Sequence, residues 1–336
     1  MVRLEGIKDL ADKFVRVRLT RLDRVDLSLF EFDYDLTFMV FFMNAEEKVY
    51  ARYGGRDAES PDGRHSLAGL DYTMKSVLAM HERADKAFAP KSGATARFIK
   101  DVGGSRRGGR CLHCHQVKEV LAADLRTRGQ WRHEMAWRYP LPENLGLVLH
   151  LDRGNVLREV TAPSPALAAG LRADDIVQRL NRVPIHSFGD AQFALDRAPA
   201  TGSIDIAWRR GDQNMQALLT LPEGWRKTSI NWRASMQRFV PAARLYGIDL
   251  THEEKKALGL APEQLAFRQK DPVHSQARAA GIRPGDIILG VDDKQLDTDV
   301  TGFVRHVYSN YIIGDRVNVN LLRDGQRLNL VMTLVR

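Results

Sequence analysis

The sequence predicts an α+β protein with several domains, and three observations lead to this prediction. An order of apolar segment, short helix, turn and strand occurs twice in the C-terminal half, around Ser164 and around His274. The N-terminal part reads as a helix, a strand, a hairpin and a second helix. Between these parts, residues 111–115 read Cys-Leu-His-Cys-His and contain the only two cysteines of the 336 residues.

Composition limits the classes of partner. The formal net charge is +8 and the sequence pI is about 9.5, which favours acidic partners or surfaces. The basic residues are scattered and no nucleic-acid motif accompanies them, so we expect no nucleic-acid partner. The sequence has no run of 18 apolar residues, and we therefore expect no transmembrane segment. Two cysteines are too few for a disulfide framework.

The first segment, residues 1–83, carries helix and strand patterns in turn. Residues 15–19 alternate between apolar and basic side chains and predict a strand. Residues 38–43 predict a buried strand whose hairpin partner is 48–53. Ser66 is a plausible N-cap for a following helix. The first helix is predicted from an apolar stripe at helical spacing: Leu4, Ile7, Leu10, Ala11 and Phe14.

This order resembles the second half of a thioredoxin fold, and residues 1–83 are accordingly predicted to be a partial thioredoxin-like α/β domain. Two features of that family are missing: a Cys-x-x-Cys upstream, and a cis-proline before the buried strand, where Thr37 or Phe38 stands. The resemblance therefore implies a packing platform and not dithiol exchange. Half a sheet would also leave an apolar face around residues 38–42 uncovered, which predicts poor stability.

The beginning of the chain leads to a further expectation. Residues 1–6 lack the apolar region of a signal peptide, and the thioredoxin-like pattern starts inside what should be its second half. Both features are explained if the true start lies upstream and Met1 is an internal methionine. The alternative is a cytoplasmic protein with a trimmed domain. In selenoprotein relatives of such proteins a stop codon encodes the active-site selenocysteine, which would cause such an error.

The second segment, residues 84–140, joins a linker to the cysteine motif. Its spacing is that of a c-type haem attachment site, in which Cys111 and Cys114 form thioethers and His115 is the proximal iron ligand. Residues 116–128 predict a helix that Gly129 ends. Basic residues in the linker form either a docking surface for an acidic redox partner or a solvated loop.

Several interpretations of the motif stay open. Met135 is the first choice for the sixth haem ligand, ahead of His133 and His113. A Cys-x-x-Cys at a helix N-terminus is also the redox motif of thioredoxins. With His133 added, the two cysteines and a motif histidine could hold zinc, although the spacing is unusual for a finger. The remaining alternative is a chance arrangement.

The third segment, residues 141–224, resembles a bacterial PDZ domain. Its features are Leu145-Gly146-Leu147 before a strand, and Gly170 at the end of a short helix before an Asp-Asp-Ile-Val strand. The resemblance implies a β-barrel-like domain in which backbone N–H groups around Gly146 form a nest for a peptide carboxylate. The adjacent strand then offers an edge to the peptide.

The fourth segment, residues 225–336, repeats this pattern and predicts a second PDZ-like domain. Tyr246-Gly247-Ile248 is its carboxylate loop, and residues 253–260 are an insertion after that loop, as in PDZ modules of bacterial envelope proteases. The nucleophile sequence Gly-Asn-Ser-Gly-Gly of those proteases does not occur in the chain, so serine-protease chemistry is not expected.

Taken together, the segments resemble a bacterial envelope family that joins a thioredoxin-like domain, a Cys-x-x-Cys-His motif and tandem PDZ domains, with some selenoprotein members. The resemblance implies a periplasmic redox or electron-transfer adaptor that carries covalent haem c and recruits partners by their C-termini. One alternative is a non-redox scaffold that binds peptides through its PDZ domains. The other is a dithiol oxidoreductase that uses Cys111 and Cys114.

Overall fold

The computed structural model describes residues 5–83, 95–102 and 112–336, and the chain separates into two compact units, residues 1–227 and 228–336. The first unit contains the helices α1 Lys8–Ala11, α2 Leu67–Glu82, α3 Cys114–Thr127, α4 Pro165–Ala168 and α5 Phe188–Asp196. Its strands are β1 Val40–Met43, β2 Val49–Tyr53, β3 Leu147–Leu149, β4 Leu157–Val160, β5 Ile176–Leu180, β6 Val183–Pro184, β7 Gly202–Arg210 and β8 Gln213–Leu221.

The second unit contains the helices α6 His252–Ala257, α7 Ser275–Ala279 and α8 Val300–Asn310. Its strands are β9 Gly247–Asp249, β10 Phe267–Gln269, β11 Ile287–Val291, β12 Arg316–Arg323 and β13 Gln326–Thr333. They form one antiparallel sheet in the order β13-β12-β11-β10-β9. One face of this sheet packs against α8, because Phe303 and Val307 are buried in the same apolar cluster as Phe267 and Val319.

The predicted hairpin and the helix after it are confirmed at the N-terminus. Strands β1 and β2 pair in antiparallel register, with Phe42 opposite Ala51. Helix α2 begins after Ser66, whose Oγ accepts a hydrogen bond from the Gly69 N–H as an N-cap does. The two strands form a sheet of their own, so the finer prediction of a thioredoxin-like domain stays a prediction.

Two expectations for this region are wrong. Residues 15–19 are not a strand, and Val15, Val17 and Leu19 are 95%, 77% and 52% exposed. The apolar face around residues 38–42 is covered by aromatic side chains that come from outside the hairpin. The Phe42 ring lies 5.6 Å from the Phe14 ring. The Phe41 ring likewise packs edge-on against the rings of Phe30 and Phe32.

Helix α3 confirms that the cysteine motif opens a helix, and Gly129 follows its end with a left-handed φ of 66°. The helix is fixed to the N-terminal region by two kinds of contact. Val117 is buried in an apolar cluster with Phe32 and Leu36. The Lys118 ammonium also forms buried ion pairs with Asp33 at 3.2 Å and Asp35 at 3.0 Å.

Apart from strand β6 and helix α6, the two predicted repeats share the same element order, and both contain the same ion pair. In the first, Arg210 Nε and Nη2 donate to the two carboxylate oxygens of Asp175, each at 2.8 Å. In the second, Arg323 donates to Asp286 in the same bidentate manner at 2.7 Å. Both arginines also donate to the carbonyl of the glycine that follows the short helix, Gly170 or Gly281. Because bidentate pairs need one specific geometry, their recurrence supports an internal duplication.

Candidate functional site

Strand β9 is one of the two edge strands of the sheet in the second unit. It pairs with β10 on one side and is the last strand in the sheet order. Tyr246 O accepts from Lys270 N, and Leu250 N donates to Ala266 O, so alternate residues of this segment face β10. The intervening residues, Gly247 and Asp249, therefore direct their backbone N–H and C=O groups away from the sheet, where a further strand could pair.

Two large apolar side chains beside this edge are exposed. Tyr246 is 40% exposed and Ile248 is 61% exposed, although residues of these types are normally buried. The Tyr246 hydroxyl donates to the Pro272 carbonyl, which holds the ring at the surface. An open edge with apolar side chains is either an aggregation hazard or a binding surface.

Gly247 is required by the closeness of β10. A Cβ atom at this position would lie 2.7 Å from the carbonyl carbon of Arg268 and 2.8 Å from Cδ2 of Phe267. No real side chain can occupy that space, so only glycine lets β9 lie at this distance from β10.

Helix α8 begins beside the far end of β9. Asp249 Oδ1 accepts a hydrogen bond of 2.9 Å from the Val300 N–H, and Asp299 Oδ1 caps the same helix through the Gly302 N–H at 2.7 Å. These bonds fix the end of the strand against the start of the helix. Helix α8 lies outside the site predicted from the sequence, although Asp299 followed by apolar residues at 300, 303, 304 and 307 is a helix-start signal.

Arg244 is a second residue that the sequence analysis missed. It precedes Tyr246 by two positions and has a left-handed φ of 56°. Its Nη2 donates to the Arg336 carbonyl, whereas its buried Nε has no hydrogen-bond partner among the described residues. A buried guanidinium N–H without a hydrogen-bond partner costs free energy.

The corresponding loop in the first repeat is closed. Leu145 and Leu147 are 0% and 1% exposed, and Gly146 between them is also buried. A short 3-10 helix, Pro142–Leu145, uses the loop amides internally, since Gly146 N donates to Glu143 O. These three residues therefore lie where a peptide carboxylate has no access, in contrast to Tyr246, Gly247 and Ile248.

The N-terminal hairpin covers helix α5 of this first repeat. Arg52 in β2 donates its backbone N–H to Asp190 Oδ1 at 2.8 Å, and its carbonyl accepts from Ser187 Oγ. The Arg52 guanidinium lies 3.4 Å from the centroid of the Phe193 ring and is almost fully buried. The α5 residues that bind Arg52 thus occupy the outer edge of β2.

The residues of the cysteine motif do not assemble into a metal site within the described part of the chain. Cys111 lies outside the described residues. Cys114 packs half-buried in the apolar cluster beneath α3, and His115 Nδ1 lies 3.2 Å from Glu119 Oε1. The Met135 sulfur accepts a hydrogen bond from the Arg132 N–H. Among the described residues there is no group of three His, Cys, Asp or Glu side chains that could hold a metal ion.

Burial raises the pKa of the Cys114 thiol above its usual value, so the neutral thiol is favoured. We therefore expect slow alkylation of Cys114 by iodoacetamide at neutral pH in a Cys111→Ser variant, and faster alkylation as the pH rises. The rate in the folded protein should be several-fold below that in urea, because unfolding restores the ordinary pKa. Equal rates in the folded and unfolded protein would contradict this expectation.

A family model described as a PDZ domain matches residues 247–334, which contain the open edge strand and helix α8. This match begins at Gly247 and covers most of the second unit.

Three curated proteins are similar to parts of the chain. One is a probable periplasmic serine endoprotease DegP-like of Ectopseudomonas mendocina (strain ymp), 25% identical over 194 residues, which are 55% of this chain and 40% of that protein. The periplasmic pH-dependent serine endoprotease DegQ of Escherichia coli (strain K12) is 25% identical over 150 residues, 45% of this chain and 30% of DegQ. The magnetosome formation protease MamE of Magnetospirillum gryphiswaldense is 33% identical over 88 residues, 25% of this chain and 11% of MamE. The chain spans less than half the length of each relative.

Solved structures of the HtrA-type protease AlgW also resemble parts of the chain. The structure with a decapeptide is 19% identical with a TM-score of 0.25, and covers 49% of this chain and 50% of that one. The structure with a tripeptide is 18% identical with a TM-score of 0.27, covering 49% and 55%. We base no inference on resemblance at this level.

The similar proteins correct the main functional prediction. An envelope redox or electron-transfer adaptor of the cytochrome c type is wrong, because the relatives are periplasmic serine endoproteases and not haem or redox proteins. A redox partner and a thioredoxin-like domain likewise have no support from them, and covalent haem c stays an untested prediction. Residues 247–334 form a PDZ domain, in a chain related to the DegP-type periplasmic proteases.

Proposed function

We propose that the protein is a peptide-binding module whose second unit captures the free C-termini of other proteins. The observation that supports this most directly is the open edge of β9, flanked by exposed Tyr246 and Ile248. A peptide added there would pair with the outward backbone groups of Gly247 and Asp249. Its last side chain would cover apolar surface, and its carboxylate would meet the loop before β9.

In this proposal the first repeat has a structural role. Its loop residues Leu145, Gly146 and Leu147 are buried, and Asp190 and Ser187 already bind the backbone of Arg52. The first repeat would thus hold the N-terminal hairpin, while the second remains available for an external peptide. Binding by a non-redox scaffold is favoured over dithiol exchange, because the raised pKa of Cys114 opposes thiolate formation.

The proposed location is the periplasm or cell envelope, by analogy with the relatives named as periplasmic. None of the helices in the described part of the chain is long and apolar enough to cross a membrane. We propose binding and not cleavage, because the features that support a function all belong to the peptide edge of the second unit.

The proposal is tested with fluorescent peptides that end in an apolar residue, with either a free or an amidated C-terminus. The full chain should bind a free-acid peptide with a Kd on the order of micromolar. Amidation should weaken binding by about tenfold or more, since the peptide then no longer offers a charged acceptor to the N–H groups of the loop. Fluorescence anisotropy measures both affinities.

A matched pair of variants locates the site. Ile248→Asp places a charge on the proposed edge and should remove binding. Val331→Asp makes the same change at a residue that is 47% exposed on β13, the opposite edge of the same sheet, and should bind normally. The proposal fails if amidated and free peptides bind equally across a random C-terminal library, or if Val331→Asp is the variant that loses binding.

A further inference from the structure

Positive charge is concentrated at the beginning of β9. Arg244 lies just before the loop, and Lys270 is joined to the loop because its backbone N–H donates to the Tyr246 carbonyl at 3.1 Å. Lys270 is exposed, and the Arg244 Nε has no partner among the described residues. Two cations therefore lie near the beginning of β9.

Negative charge is concentrated at the other end of the strand. Asp249 and Asp299 are both exposed, and they lie close together because each accepts a hydrogen bond from the first turn of α8. Each uses Oδ1 for that bond. Glu253 follows in α6 and is exposed as well. The charge of its neighbour Glu254 is balanced by Arg268, whose Nη2 lies 3.1 Å from Glu254 Oε1.

Among the described residues, no lysine or arginine forms an ion pair with Asp249, Asp299 or Glu253. Arg305 is exposed on α8, but it lies five residues into the helix, about 8 Å along its axis from Val300. Lys256 is in the last turn of α6, and its side chain is exposed. The edge of β9 thus runs from a basic end to an acidic end.

The direction of a bound peptide follows from the site. Its C-terminus lies at the loop before Gly247, so its upstream residues must run towards Asp249, antiparallel to β9. Outward backbone groups occur at Gly247 and Asp249, two positions apart. If the last residue of the peptide pairs beside Gly247, the third residue from its end lies beside Asp249. Residues further upstream pass the start of α8 and α6.

We propose that the preferred partners carry lysine or arginine at the third or fifth position from an apolar, free C-terminus. This inference rests on the proposed function and specifies its ligand. The peptide's terminal carboxylate lies at the basic beginning of β9, and its basic side chain faces Asp249 and Asp299. Complementary charge at both ends would fix the direction and the register of the peptide.

The test compares two free-acid peptides that differ only at the third residue from the end, lysine in one and glutamate in the other. The lysine peptide should bind the full chain about fivefold more tightly at low salt, since each exposed charge pair contributes little by itself. The preference should shrink at high salt, because ions screen exposed charges.

Two variants, Asp249→Asn and Asp299→Asn, separate charge from structure. Asparagine keeps the oxygen that accepts from the helix N–H groups, so α8 should remain capped. The double variant should bind both peptides about equally, whereas Glu159→Gln, an exposed carboxylate in the first unit, should keep the preference.

The outcomes distinguish the two proposals. If neither peptide binds, the proposed function itself fails. If both bind the wild type equally and amidation still removes binding, the function stands and the charge preference is overturned. If the preference survives in the double variant, the acidic end of β9 does not determine it and the inference is also overturned.

Discussion

Replacing Asp190 with alanine is expected to destabilise the first unit by about 3–5 kcal/mol, which is the usual cost of removing one partner of a buried ion pair. The Asp190 carboxylate accepts from the backbone N–H groups of Arg52 and His186, and lies 4.0 Å from the Arg52 guanidinium. Without it, the Arg52 backbone N–H loses its acceptor and its guanidinium loses its nearest carboxylate, and both are buried. Urea unfolding of the full chain, followed by circular dichroism, measures the loss.

A matched control is Asp205→Ala, which removes an exposed carboxylate from β7 and should change the unfolding free energy by about 0.5 kcal/mol or less. A loss at Asp190 no larger than in this control would refute the assigned role of the Arg52 contact. It would mean that the hairpin and the first repeat are not held together by this pair.

The same residue predicts a pH dependence. Burial raises the pKa of Asp190 to about 7, although Arg52 acts in the opposite direction. Because the folded-state pKa of Asp190 lies above its ordinary value, the carboxyl group contributes stability at low pH. This contribution is lost as the pH rises through about 7. Asp190→Asn imitates the protonated form, so wild type should lose stability relative to this variant as the pH is raised from 5 to 9. A difference that does not change with pH would contradict the shift.

Replacing Gly247 with alanine is expected to abolish peptide binding. The added Cβ would overlap the Arg268 carbonyl and approach Phe267 Cδ2 to 2.8 Å. Strand β9 must then move away from β10, and the outward N–H and C=O groups lose their position. We expect at least a tenfold weaker affinity, together with a stability loss of about 1–3 kcal/mol from overpacking.

The control for this change is Gly259→Ala. Gly259 has a left-handed φ of 67° but no atom within 4 Å of the added Cβ. Alanine at this position therefore strains the backbone without a steric clash. It should keep most of the peptide affinity. If Gly247→Ala binds peptide as well as Gly259→Ala does, the edge of β9 is not the binding site.

Local patterns predicted much of the secondary structure because local interactions decide it. Ser66 caps α2 with its own side chain, and Gly129 ends α3 in a left-handed conformation. The alternating residues 15–19 had the same kind of local signal, yet they form no strand. Alternation gives a strand only where a neighbouring strand supplies hydrogen bonds, and the pairing of β1 with β2 does not include this segment.

The sequence by itself predicted a duplication and two carboxylate loops, since Leu145-Gly146-Leu147 and Tyr246-Gly247-Ile248 follow one pattern. It did not determine which loop is open to a ligand. Only the tertiary structure decided that, because the first loop is buried in a unit that also contains β2, nearly a hundred residues earlier in the chain. The exposure of a loop depends on which distant segments fold against it, and the sequence of the loop itself does not specify those segments.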